Sequence, residues 1–217
     1  AREQLLLDVS HELRSPLTRM KVALEFIPED SSRESLQSDV QEMEQMVTEI
    51  LETARLKSEY AKLDRQATDL GPLIQQACLK FEGKAPGIRF ENSTDKCIAQ
   101  VDVEQIQTVL KNILANALKY SAAENEPIKV CLSRDDSGIQ LEIQDYGQGI
   151  PDEEMDLIFE PFYRVDKSRN KKTGGYGLGL SLCKTIIEAH GGTISVKSSM
   201  GQGTIFSLLL PNSSSTI

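Results

Sequence analysis

Glycine is missing from the first 70 residues of this 217-residue chain; all 14 stand at or after Gly71. A glycine-free stretch rich in Leu, Glu, Met, Gln and Arg reads as helix. Histidine is scarce, with two in the chain, and the four cysteines (Cys78, Cys97, Cys131, Cys183) form no C-x-x-C pair. That excludes a thiolate–imidazole zinc site and reads as free thiols in a reducing cytosol. No apolar run approaches the roughly 18 residues of a membrane-spanning helix, and no signal-peptide pattern opens the chain. Basic residues are outnumbered, 24 against 33 acidic, for a net charge of -9. Such a balance excludes a general nucleic-acid binder. With 39% hydrophobic and 26% charged residues, the composition is that of an ordinary globular chain of one large or two small domains.

The glycine-free part carries two apolar series. Leu6, Val9, Leu13, Leu17, Met20, Leu24 and Ile27 recur at steps of three and four, as do Leu36, Val40, Met43, Val47, Ile50 and Ala54. Both are heptad seams, and the polar turn from Pro28 between them closes an antiparallel helical hairpin. Two such helices do not shield a full core. Doubling them gives a four-helix bundle and a homodimer; the alternative is a lone hairpin resting on a second domain.

From about Lys62 the pattern changes. Thr68 to Pro72 reads as a strand end and helix start, and Leu73 to Phe81 as helix. Ile88 to Glu91 and Cys97 to Val101 read as short strands. A long amphipathic helix follows from Val103 to Tyr120. Strands Ile128 to Ser133 and Ile139 to Gln144 flank a hairpin turn, Leu178 to Ala189 is helical, and Thr193 to Lys197 pairs with Thr204 to Leu210. These elements predict an α/β sandwich, a mixed sheet with helices on one face. The Ser-rich tail from Asn212 is expected to fray.

Four clusters carry chemistry. In Ser10-His11-Glu12-Leu13-Arg14-Ser15-Pro16, the seam turns His11 away from the core, where an imidazole beside a carboxylate is a candidate nucleophile or a solvated surface residue. Pro16 deprives the Glu12 carbonyl of its helical partner and predicts a kink. Asn112 and Asn116 share a helix face with Lys119, followed by Tyr120. Amide oxygens suit Mg²⁺ and a lysine suits phosphate, although such pairs are often only solvated polar residues. Asp145-Tyr146-Gly147-Gln148-Gly149 follows a strand; it is either a plain turn or a loop that brings backbone and a carboxylate close to a ligand. Gly174-Gly175-Tyr176-Gly177-Leu178-Gly179-Leu180 opens a helix, where backbone amides attract anions. Between the last two lies Phe159-Glu160-Pro161-Phe162-Tyr163-Arg164, then Lys167, Arg169, Lys171 and Lys172, which reads as a basic lid over a polyphosphate or as a solvated loop.

In this order, and with a final Gly201-Gln202-Gly203-Thr204, the clusters resemble the sensor histidine kinases of two-component signalling, over nearly the whole chain. The resemblance implies a dimerisation and phosphotransfer hairpin over residues 1–60 and an ATP-binding domain, similar to that of gyrase and chaperone ATPases, over 61–217. It implies that His11 attacks the γ-phosphate of ATP, oriented by Glu12 as general base, and that Asn116 holds Mg²⁺ with Asn112 near the phosphates. Lys119 would contact phosphate, Tyr120 would stack on adenine and Asp145 would read its amine. Gly147 and Gly149 would shape that pocket, while Gly175, Gly177, Leu178 and Gly179 would form the closing loop. Arg164 would approach the γ-phosphate or the acidic neighbour of the histidine. The phosphoryl group would pass to an aspartate of a response-regulator receiver domain. In relatives a Thr or Asn four residues after the histidine supports dephosphorylation of that partner; Ser15 stands here, which leaves that activity open. His190 is expected to be structural.

The chain opens mid-helix without an initiator methionine, so it is expected to be the cytoplasmic portion of a membrane-anchored sensor. Any membrane link would run through regions absent from the sequence. Two other functions compete: a plain ATPase of the same superfamily without phosphohistidine chemistry, and a non-catalytic dimeric scaffold. The His11-Glu12 pair opposes the first, and the intact Asn116, Asp145 and glycine-rich loop oppose the second.

Overall fold

The computed structural model describes residues 2–28, 31–58, 62–94, 96–165 and 176–212, with residues 2–12 and 31 described as backbone alone. The chain divides into two compact units, Ala1–Ala61 and Lys62–Ile217.

The first unit is a helical hairpin. Helix α1 spans Arg2–Leu24 and runs unbroken through Pro16, and α2 spans Ser31–Leu56. Glu29 and Asp30 of the expected turn lie outside the described residues. The seam predicts helix as far as Ile27, but α1 ends at Leu24. Single turns then follow, as Glu25, Phe26 and Ile27 donate N–H bonds to the carbonyls of Val22, Ala23 and Leu24. Pro28 is the physical reason: it disfavours helical backbone at the residue before it. Near the other proline, the Thr18 hydroxyl donates to the Arg14 carbonyl at 3.0 Å.

Among the described side chains, only part of each seam is used inside the hairpin. Leu17, Leu24 and Val40 are buried together with Val47 packed against them. The interleaved positions stay open: Leu13 and Met20 on α1, Ile27 in the turns after it, and Leu36, Met43 and Ile50 on α2 are 38 to 48% exposed. Both open sets repeat every seventh residue, so each helix shows an unburied apolar stripe beside its buried one. Lys21 is ion-paired with Glu44 across the hairpin.

The second unit is the expected sandwich. In chain order it holds β1 (Gln66–Asp69), α3 (Leu70–Leu79), β2 (Ile88–Asn92), β3 (Ile98–Val101), α4 (Val103–Tyr120), β4 (Ile128–Asp135), β5 (Gly138–Asp145), α5 (Gly179–Ala189), β6 (Thr193–Ser199) and β7 (Gly203–Leu210). Five strands form one sheet in the order β2-β4-β5-β7-β6; β2 pairs parallel to β4 and the other pairs are antiparallel. Strands β1 and β3 pair separately as an antiparallel ribbon.

Alternation in the strands builds the core. Ile128, Val130 and Leu132 of β4, Ile139, Leu141 and Ile143 of β5, and Phe206, Leu208 and Leu210 of β7 all face inward. They meet the apolar stripes of α3, α4 and α5, including Ile74, Ile113 and Ile186, each no more than 1% exposed. The β4–β5 hairpin is longer than the sequence predicts. The Asp135 carboxylate accepts from the N–H groups of Ser137 and Gly138, which shortens the turn to Asp136-Ser137 and carries the ladder to the Asp135↔Gly138 pair. Helix α3 starts at Leu70, inside the stretch from Thr68 to Pro72 read as a strand end and helix start, because Asp69 caps it, accepting from Gly71 N–H at 3.2 Å; it ends at Leu79, short of the expected Phe81. Among the described residues no helix is long and apolar enough to cross a membrane.

Candidate nucleotide site

The inward alternation of β5 ends on a carboxylate. Ile139, Leu141 and Ile143 are followed in the same register by Asp145, which is 5% exposed. Its Oδ1 accepts two backbone N–H bonds, from Gly147 at 2.9 Å and from Thr204 at 3.2 Å on the neighbouring strand. No described donor reaches Oδ2. Burial pushes the carboxyl pKa upward, and the two N–H bonds oppose that rise without reversing it.

The loop after Asp145 lies against the C-terminal end of α4. Gln148 N–H donates to the Tyr120 carbonyl at 3.4 Å. A Cβ on Gly147 would stand 2.2 Å from that same oxygen, so the approach requires glycine. Asn125 stitches the two ends together: its Oδ1 accepts from Ala122 N–H and its Nδ2 donates to the Tyr146 carbonyl, both at 2.6 Å. Gly149 lies in the same loop with its backbone beside Ser199 and Met200.

Helix α4 brings its polar face to this end. Asn112 and Asn116 are half-buried, Lys119 and Tyr120 exposed, and Asp102 caps the helix through Gln105 N–H at 3.2 Å. The Asn116 carboxamide bonds to no described residue. Asn112 Nδ2 donates to the Gly179 carbonyl at 3.5 Å, which joins α4 to the first residue of α5. The Lys119 ammonium stands 4.8 Å from the centre of the Tyr120 ring.

The described end of the glycine-rich loop is anchored on both sides. Leu178 is buried, and its carbonyl accepts from Leu182 N–H and the Ser181 hydroxyl. The Gly177 carbonyl accepts from Phe162 N–H at 2.9 Å. Gly177 has φ +73°, and a Cβ there would lie 2.3 Å from the Tyr163 carbonyl, so no side chain fits. Phe162 itself sits at φ 66° and is 60% exposed, while the Tyr163 hydroxyl bonds to Glu154. Arg164 is half-buried beside them. Gly174, Gly175, Lys167, Arg169, Lys171 and Lys172 lie outside the described residues, as do the side chains of His11 and Glu12. Ser15 is exposed on α1.

Asp145, the 145–149 loop, the α4 face and the start of α5 thus converge at one end of the sheet. The arrangement supplies an open carboxylate oxygen on a largely buried Asp145, an exposed aromatic ring, two side-chain amides and a helix N-terminus, the set that a base and a polyphosphate need. Among the described residues no group of three His, Cys, Asp or Glu stands where it holds a metal ion by itself.

Comparison with known proteins agrees with this geometry. The family described as histidine kinase-, DNA gyrase B-, and HSP90-like ATPase matches residues 101–214, and the His Kinase A (phospho-acceptor) domain matches residues 1–59. The chain belongs to that ATPase family. Its second unit is therefore an ATP-binding unit, and with the phospho-acceptor domain ahead of it the chain is the catalytic region of a sensor histidine kinase. Similar proteins include the alginate biosynthesis sensor protein KinB of Pseudomonas aeruginosa, 36% identical over 97% of this chain and 37% of KinB. The sensor histidine kinase MtrB of Mycolicibacterium paratuberculosis is 31% identical over 94% of this chain and 38% of MtrB. The kinase region thus spans little more than a third of the length of these curated relatives. Among solved structures, full-length ShkA in complex with AMPPNP aligns over 97% of this chain and 46% of ShkA, with a TM-score of 0.77 and 25% identity.

Two contributors escape the motif reading. Thr204 was legible only as part of the closing Gly-Gln-Gly-Thr motif, yet its backbone holds Asp145. Asn125 lies in a polar loop with no pattern to mark it, and only the folded loop shows what it ties together.

Proposed function

We propose that this kinase region phosphorylates its own His11 with ATP and passes the phosphoryl group to an aspartate of a response-regulator receiver domain. The observation that carries the reading is the divided Asp145 carboxylate. One oxygen is fixed by two backbone amides, and the other is left as an open acceptor for the exocyclic amine of adenine. It lies in a chain whose first 59 residues match a phospho-acceptor domain.

Tyr120 covers the base, and Gly147 and Gly149 keep the loop thin enough for it. Lys119 and Asn112 face the phosphates, and Gly175, Gly177, Leu178 and Gly179 close over them. The residues fit a Mg²⁺ ion that arrives with the nucleotide: the Asn116 carboxamide oxygen is a hard donor with no bond to a described residue, and among the described residues no carboxylate cluster competes for the metal. Such an ion would neutralise phosphate charge, with Asn116 as its ligand from this chain. In the transfer, an imidazole nitrogen of His11 forms a bond to the γ-phosphorus as the bond to the bridging oxygen breaks and ADP leaves with that electron pair. Glu12 takes the imidazole proton, and Arg164 approaches the γ-phosphate or Glu12. The receiver aspartate then attacks the same phosphorus and the N–P bond breaks. Ser15, four residues after His11, carries a hydroxyl that could position a water to hydrolyse the receiver's acyl phosphate, which leaves phosphatase activity an open part of the reading.

The hairpin, residues 1–60, is the dimerisation and phosphotransfer domain, and residues 61–217 are the catalytic domain. A second copy covers the open stripe of Leu13, Met20, Ile27, Leu36, Met43 and Ile50, and completes a four-helix bundle. Incubation with γ-labelled ATP and Mg²⁺, beside a His11→Ala variant, tests the reaction. Acid-labile, alkali-stable label on the wild type alone supports it; phosphate release without labelled protein refutes it in favour of a plain ATPase.

A further inference from the structure

The chain has two histidines, and phosphotransfer to His11 leaves His190 without a role. His190 closes the C-terminus of α5 and is 2% exposed. Its Nδ1 lies 2.7 Å from the Ile186 carbonyl oxygen. A carbonyl only accepts, so Nδ1 carries the proton and Nε2 is an acceptor. The atom it accepts from is the backbone N–H of Asp102, at 3.0 Å. Burial is the main cause that holds the imidazole below its ordinary pKa of 6.5 and in this neutral form.

Asp102 is the N-cap of α4, so His190 ties the end of one site helix to the start of the other. The entry of the second unit meets them there: Asp64 N–H donates to Asp102 Oδ2 at 3.1 Å, and Arg65 donates to the Ala189 carbonyl at 2.6 Å. Two further ties cross between the same helices. Cys183 Sγ lies 3.8 Å from the Val109 carbonyl, and Asn112 Nδ2 bonds the Gly179 carbonyl at 3.5 Å. Asp102 to Asn112 and Gly179 to His190 are spans of nearly equal length, roughly 15 Å each at about 1.5 Å per residue. The helices therefore lie antiparallel, with α5 tied at both its ends and near its middle to the first half of α4. Apolar packing alone tolerates sliding of one helix on another; directional bonds at the ends specify the register.

We propose that His190 is a positioning residue for the phosphotransfer reaction: its neutral imidazole holds α4 in register with α5, and so holds Asn112 and Asn116 opposite the Gly177–Gly179 backbone. The inference rests on the nucleotide reading of that site. Loss of the tie leaves the Asp102 N–H unpaired and lets α4 shift, which weakens nucleotide binding at a site far along both helices.

The test compares the full chain with His190→Asn and His190→Gln. Asparagine is tolerated at a helix C-terminus but is too short to reach Asp102, whereas glutamine reaches it with an amide oxygen. Calorimetric titration with Mg-ADP is expected to show a Kd about tenfold weaker for His190→Asn, the size of one lost buried hydrogen bond, and near-wild-type affinity for His190→Gln. Amide hydrogen exchange at Asp102 should be fast in the first variant and slow in the second. A His190→Asn variant that melts earlier yet binds Mg-ADP as tightly as wild type overturns the positioning role and leaves a structural histidine. A wild type that binds no nucleotide refutes the reading of the site itself.

Discussion

Replacement of Asp145 by asparagine separates recognition from stability. The side chain keeps its shape, and the two N–H donors from Gly147 and Thr204 force the new carbonyl oxygen into the Oδ1 position. The amide NH₂ then occupies the place of Oδ2, where it meets the adenine amine donor to donor. A hydrogen bond to a charged acceptor contributes roughly 1.5–3 kcal/mol, so the Kd for ATP should rise about 10- to 150-fold. Inosine triphosphate, with a carbonyl in place of that amine, should suffer no such loss and gain relative to ATP. Stability moves the other way. Burial raises the Asp145 pKa above its ordinary 3.8, so the folded state binds the proton more tightly than the unfolded one. The group's contribution is therefore most favourable below pH 3.8 and declines as pH rises through the folded-state pKa. Asp145→Asn removes that cost and should raise the melting temperature of the free protein at neutral pH, with the gain fading as the pH falls. Calorimetric titration with both nucleotides and thermal melts across pH read all three effects. Unchanged ATP affinity, or an equal loss for both nucleotides, would refute the assignment of Oδ2 to the base.

Other perturbations probe separate parts of the account. Gly147→Ala places a methyl group 2.2 Å from the Tyr120 carbonyl and should cost about 1–3 kcal/mol of stability and loosen ATP binding; a variant that melts and binds like wild type contradicts the close packing of that loop. Met43→Lys puts a charge on the open stripe of the hairpin, and sedimentation should show a dimer turned monomer, whereas an unchanged dimer points to another interface. Burial pushes the Cys78 thiol from 9.0 to about 11, so at about pH 8 it should react with a disulfide reagent about a hundredfold more slowly than a free thiol. Labelling of Cys78 at the free-thiol rate in the folded protein would show that segment to be open.

What the sequence made legible follows from the range of the interactions involved. Helix α4 and the shared face of Asn112, Asn116 and Lys119 depend on period and spacing alone, and both heptad seams are local in the same way. Asp145 could be placed at a strand end because it directly follows an alternating run. Its partner could not: Thr204 lies 59 residues away, and the sheet register brings the two together. The tie from His190 to Asp102 spans 88 residues and joins two helix ends, so each residue taken alone reads as a routine cap. The apolar seams were visible, but their division into a buried and an open half was not. That division depends on which side of each helix the hairpin partner takes.

The central claim is that the phosphoryl group resides on His11. The direct measurement is mass spectrometry, under alkaline conditions, of the chain after incubation with ATP and Mg²⁺. The account predicts a single added phosphoryl group on the peptide that carries His11, lost on acid treatment and absent from His11→Ala. A phosphoryl group on serine, threonine or aspartate instead, or an unmodified chain that consumes ATP, would contradict it.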